Sequence, residues 1–118
     1  MSKKTKVLIF DSAKQTITES SIASLEDCQK IVGGFIERAM TLPSGDELYC
    51  DEEGLVKERE LGFEIYDHLA GGYYPVVGNA FLIGPVDSRG NNGDVLSTPE
   101  ELKNITRFMR MVYVEDEE

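Results

Sequence analysis

One hundred and eighteen residues, 41% hydrophobic and 29% charged, fit one globular domain and exclude a disordered or fibrous chain. Twelve basic against 22 acidic residues leave a formal charge of −10, a field that repels phosphate backbones and argues against direct binding of DNA or RNA. No apolar run approaches the roughly 18 residues of a membrane span, and the four apolar residues after Met1-Ser2-Lys3-Lys4-Thr5-Lys6 are too few for a signal peptide, so the expected setting is the cytoplasm.

Val7-Leu8-Ile9-Phe10 is a continuous run of strand formers and predicts a strand buried on both faces. Thr16-Ile17-Thr18 predicts a half-exposed strand paired with it. Ser24 is a good N-cap, with Asp27 at the third helical position. From there Leu25, Cys28, Ile31, Val32, Phe35, Ile36 and Ala39 recur at spacings of three and four and predict one long first helix. Gly33-Gly34 inside it would cost about 1 kcal/mol per glycine relative to alanine, which implies close approach to the sheet, a bend, or a contact surface without side chains.

Residues 39–42 suit a strand, Pro43-Ser44-Gly45-Asp46 a turn, and Glu47-Leu48-Tyr49-Cys50 a further strand. Asp51-Glu52-Glu53-Gly54 makes a tight acidic turn, and residues 55–69 read as a short helix or an irregular segment. After Gly71-Gly72, residues 73–84 predict one strand with a bulge or bend at Gly78-Asn79, and residues 87–94 a mobile polar loop. Thr98, Pro99 and Glu101 form a capping box that opens a second helix, with Leu102, Ile105, Phe108, Met109 and Val112 as its buried stripe. The fold class is therefore α+β: a mostly antiparallel sheet with two helices packed on it, one domain over residues 1–114 and an acidic tail at 115–118.

Signals for chemistry are few. His68, the sole histidine, follows Asp67, but neighbours in sequence point to different faces and no nucleophile motif accompanies it. Cys28 and Cys50 lack the spacing of a disulfide framework or zinc site, so neither catalytic residue, metal nor cofactor is expected. Tyr73-Tyr74 fits the edge of a core or a protein interface better than a base-stacking platform, because no basic residues surround it. Gly71-Gly72, Gly78-Asn79 and Gly90-Asn91-Asn92-Gly93 offer weak candidates for an anion cradle of backbone amides, and a small-molecule site would bring Gly33-Gly34 and the Glu52-Glu53-Gly54 turn to Gly78-Asn79. The charge is concentrated: residues 46–60 hold seven acids against Lys57 and Arg59, and the tail adds four more.

Ile31-Val32-Gly33-Gly34-Phe35-Ile36-Glu37, taken in order with Asp51-Glu52-Glu53-Gly54, residues 78–84 and Leu96-Ser97-Thr98, resembles the domain-of-unknown-function family 3846, small domains borne by phages, plasmids and bacteria. The resemblance spans about residues 6–110 and implies a strand pair, a helix carrying the Val-Gly-Gly string, a strand into the acidic turn, a Gly-Asn strand and a final helix. Asp51 stands where the family usually has Asn, and the Asn expected shortly after the turn is missing from Arg59-Glu60-Leu61-Gly62. The resemblance implies no activity. The expected function is a non-enzymatic protein-binding module, an accessory protein of a mobile element or its host, meeting a partner of basic surface; its size is compatible with a homodimer. The alternative is a small-molecule binder, nucleotides included. Candidate binding residues are Gly33, Gly34, Glu37, Asp51, Glu52, Glu53, Gly78 and Asn79.

Overall fold

The computed structural model describes residues 4–52 and 61–110. In chain order these hold β1 (Thr5–Asp11), β2 (Thr16–Ile22), α1 (Leu25–Val32), β3 (Ile36–Thr41), β4 (Glu47–Asp51), β5 (Leu61–Asp67), β6 (Gly72–Val77), β7 (Ala80–Ile83), α2 (Pro99–Lys103) and β8 (Thr106–Arg110). A five-stranded sheet runs β2-β1-β7-β4-β3 and a three-stranded sheet β6-β5-β8, with every pairing antiparallel. The chain is thus α+β and mostly antiparallel, but with two sheets where one was expected.

Side-chain alternation along β1 and β7 explains the layering, because successive residues of a strand point to opposite faces. Leu8, Phe10 and Leu82 share one cluster with Phe63, Ile65 and Val76 of the smaller sheet, and the Phe10 and Phe63 rings stack with centroids 4.9 Å apart. Val7, Phe81 and Ile83 point the other way, into a second cluster with Cys28 and Val32 of α1. A strand apolar at every position is what this double burial requires, and β7 is buried at all four residues.

Both helices are shorter than their periodicity predicts. Gly33 takes φ 79° at the C-cap of α1, and the Gly33 and Gly34 amides both donate to the Gln29 carbonyl, at 2.8 and 3.2 Å. The glycine pair is therefore a stop signal, since only glycine enters the left-handed region without a steric cost. The spacing of Phe35, Ile36 and Ala39 is coincidental, and Ile36–Thr41 pairs with β4 instead. Thr98 caps α2 as expected, its hydroxyl accepting from the Glu101 amide. That helix ends at Lys103, and Phe108 and Met109 lie in β8, where pairing with β5 overrides helical spacing.

Residues 61–67, expected to be helical or irregular, form the central strand of the smaller sheet. The predicted strand over 73–84 is two strands in different sheets. Gly78, at φ 85°, turns the chain from β6 to β7 and donates its amide to the Leu61 carbonyl at 2.9 Å. Tyr73 and Tyr74 consequently part company: Tyr73 lies against Tyr66 and under the Arg107 guanidinium, while burial, Cys50 and Glu37 push the Tyr74 hydroxyl up.

Candidate functional site

The corner between β6 and β7 is fastened to the β1–β2 turn. The buried Ser12 donates its amide to Asn79 Oδ1 at 3.0 Å and its hydroxyl to the Gly78 carbonyl at 2.5 Å. Beside this corner stands the C-terminal end of α1. Together they bound an open cleft of about 520 Å³, with Ser12, Ala13, Lys30, Ile31, Gly33, Leu61, Gly78 and Asn79 among its lining residues. Phe35, two residues beyond Gly33, is 65% exposed, and its carbonyl accepts from the Glu52 amide at 3.0 Å.

Three of the candidate residues, Gly33, Gly78 and Asn79, thus meet at one cleft although some 45 positions separate them in sequence. Gly34 lies in the α1–β3 turn, Glu37 is exposed on β3 opposite Cys50, and Asp51 is buried opposite Ile36; none of them lines the cleft. Glu52 is exposed beside Phe35, and Glu53 lies outside the described residues. Sequence reasoning missed Ser12, Lys30 and Leu61. Only the sheet change at Gly78 brings them alongside, and no local pattern signals it.

Of the amides proposed as an anion cradle, Gly71 donates to Asp67, Gly78 to Leu61, Gly90 to Asp87 and Gly93 to Pro85, and the Gly33 and Gly34 amides both donate to Gln29. The α1 end that faces the cleft is also the negative end of the helix dipole, with Lys30 in its last turn. The cleft therefore offers apolar side chains, one ammonium and one amide, an arrangement that grips a mainly apolar group better than a phosphate.

A family model described as Domain of unknown function (DUF3846) matches residues 5–112, from the first strand to beyond the last. The chain belongs to the DUF3846 family. No curated protein and no solved structure matches it.

Part of the acidic stretch of this DUF3846 domain lies inside the fold. Asp46, Glu47 and Asp51 are buried. Asp46 accepts from the Leu96 and Ser97 amides at 2.9 Å each and from the Ser97 hydroxyl at 2.6 Å. Glu47 accepts from Arg38 at 3.0 Å, Asn92 at 2.8 Å and Tyr49 at 3.3 Å. Buried carboxylates this well hydrogen-bonded are structural anchors. They pin the 84–97 connection, which is also closed by a Val86–Asn92 bridge, so the expected mobile loop is a fastened one. Of the seven acids at 46–60, Glu53, Glu58 and Glu60 lie outside the described residues, as does the tail at 115–118.

Burial raises the Glu47 pKa, but the hydrogen bonds from Asn92, Arg38 and Tyr49 outweigh it and hold the carboxyl below its ordinary value. A carboxyl depressed in the folded state stabilises the fold above its unfolded pKa, and that contribution is lost as pH falls through the folded value. Melting curves from pH 7 to pH 3 are accordingly expected to converge for wild type and Glu47→Gln, wild type being the more stable at pH 7.

The remaining reactive groups of the DUF3846 domain are quiet. Burial pushes the Cys50 thiol up to about 11, with help from Glu37 and Asp51, and burial together with Asp27 raises Cys28, so both stay protonated at neutral pH. His68 is exposed and meets the Tyr66 ring edge-on, centroids 4.9 Å apart. Among the described residues, no group of three or more His, Cys, Asp and Glu side chains is placed to hold a metal ion, and no helix is long and apolar enough to cross a membrane.

Proposed function

We propose that this DUF3846 domain is a non-enzymatic binding module that works by contact with a protein partner, as an accessory protein of a mobile element or its host. The observation that carries the reading is the open cleft at Gly33, Gly78 and Asn79, with Leu61, itself 38% exposed, in its lining. An exposed leucine beside Ile31 in the lining of a preformed cleft suits the insertion of a partner's apolar side chain, which would supply most of the binding energy. The structural duties of Asp46 and Glu47 and the protonated thiols favour a binding role over a catalytic one.

The test is capture from host lysate by the full chain, with two variants as comparison. Ala13→Trp fills the cleft from an exposed turn position, and Leu61→Ser removes an exposed apolar side chain from its lining; neither replaces a buried side chain. A specific partner should be retained by wild type and lost at least tenfold in both variants at unchanged melting temperature. Equal retention by all three proteins contradicts the reading. A small-molecule ligand is the second reading, favoured by a cleft volume inside the range of roughly 300–1,000 Å³ typical of such sites. It predicts a concentration-dependent thermal shift with a small organic ligand or nucleotide, abolished by Ala13→Trp.

A further inference from the structure

A second groove, of about 850 Å³, lies elsewhere on the molecule, between the first turn of α1 and the 87–94 loop. Its apolar lining is Ile22, Leu25, Cys28 and Ile83. Three of these are nearly buried, and Leu25 stands 59% exposed. The opposite wall carries Asp87 and Asp94, with Arg89 as the only cation among the described residues that line the groove. Asp27, at the helix end of the same groove, turns its Oδ2 to the Ala23 amide at 2.8 Å.

The walls are set in place by the fold. Asp87 Oδ1 accepts from the Arg89 and Asn91 amides, and Asp94 Oδ1 accepts from the Lys6 amide at 2.8 Å. A groove held this way needs little ordering when it is filled. An apolar floor below carboxylates matches a lysine or arginine side chain, whose methylene stem packs on aliphatic surface while its charged head remains at the rim. An anion is opposed here by Asp87, Asp94 and the acidic first turn of α1 at Glu26 and Asp27. A second copy of the chain is disfavoured because it brings another charge of −10.

We infer that this groove docks a basic, extended segment of a protein partner, lysine or arginine stems lying on Ile22, Leu25 and Ile83 and their heads on Asp87 and Asp94. The inference rests on the protein-binding reading and adds to it a site distinct from the Gly33–Asn79 cleft, with the charge of the segment it takes.

The probe is a fluorescent hexapeptide of alternating lysine and leucine, titrated with the full chain at low salt beside a glutamate–leucine counterpart. Asp87→Asn with Asp94→Asn removes both charges yet keeps an amide oxygen for the Lys6, Arg89 and Asn91 amides. The double variant should lose at least tenfold in affinity for the basic peptide, Arg89→Glu should gain severalfold, and Ala13→Trp should leave it unchanged. The acidic peptide should not bind. Three results overturn the inference: no binding of the basic peptide, equal binding by the double variant, or loss of binding in Ala13→Trp. If any of these occurs while the lysate partner is still retained through the cleft, the docking inference fails and the protein-binding reading stands. If the basic peptide binds as expected while no lysate partner depends on the cleft, the Gly33–Asn79 reading fails and this groove stands.

Discussion

Gly84→Ala is expected to lower the melting temperature by about 10 °C or more. A Cβ at Gly84 would sit 2.0 Å from the Asp94 carbonyl oxygen and 2.6 Å from both the Asp94 carbonyl carbon and the Gly93 oxygen. All three obstacles are backbone atoms, so no side-chain rotation relieves the overlap. Gly84 also donates its amide to Gly93 at 2.9 Å and accepts from Asn92 Nδ2 at 2.8 Å, and both bonds must stretch if the strands part. Overpacking of this kind costs on the order of 3 kcal/mol or more, and each 1 kcal/mol moves the melting temperature of a domain near this size by several degrees. Gly72→Ala is the control, because nothing lies within 4 Å of the added carbon. It should leave stability within about 0.5 kcal/mol. A Gly84→Ala protein that melts with wild type would mean that the 84–94 connection is not packed as described.

Asp46→Ala is expected to cost about 3 kcal/mol or more in denaturant unfolding. Asp46 is fully buried, and its loss takes the carboxylate acceptor from the Leu96 and Ser97 amides and leaves the Ser97 hydroxyl, among the described residues, only Ser44 Oγ at 3.4 Å. Hydrogen bonds to a charged acceptor contribute on the order of 1.5–3 kcal/mol each, and Asp46 accepts three. Leu96 and Ser97 lead directly into Thr98, the cap of α2, so the same change loosens that helix, whose Leu102 is buried in the larger core. Asp46→Asn retains one acceptor but turns an amide toward the same donors, and it should recover only part of the loss. A cost below about 1 kcal/mol for Asp46→Ala would show that the carboxylate is not the anchor of this connection.

Much of the fold is legible in the residues. The continuous apolar run of β1, the Ser24 and Thr98 caps and the turn at Gly45 all follow from short-range chemistry, which local sequence records. The two helix lengths were not legible. Ile36 and Phe108 continue a helical spacing by accident, and the decision against helix comes from β4 and β5, far away in sequence. Gly33-Gly34 carried the correct signal in a form easily misread: a glycine pair after Lys30 marks a C-cap as readily as an interior defect.

The site was half legible for the same reason. Gly33 and Gly78-Asn79 stand out because turns need glycine there, and turns rim clefts. Nothing local marks the acids at 46, 47 and 51 as buried, because sequence shows charge but not burial. Leu96 and Ser97, the partners of Asp46, and Asn92, a partner of Glu47, lie 45–51 positions further on.

The measurement that bears most directly on the account is an amide chemical-shift titration of the full chain with the protein it retains from lysate. The account predicts that signals of Ser12, Ala13, Gly33, Gly78 and Asn79 move first and saturate with binding, and that Ala13→Trp abolishes those shifts. Binding that leaves these signals in place while others saturate would contradict it and remove the cleft from the function of this domain.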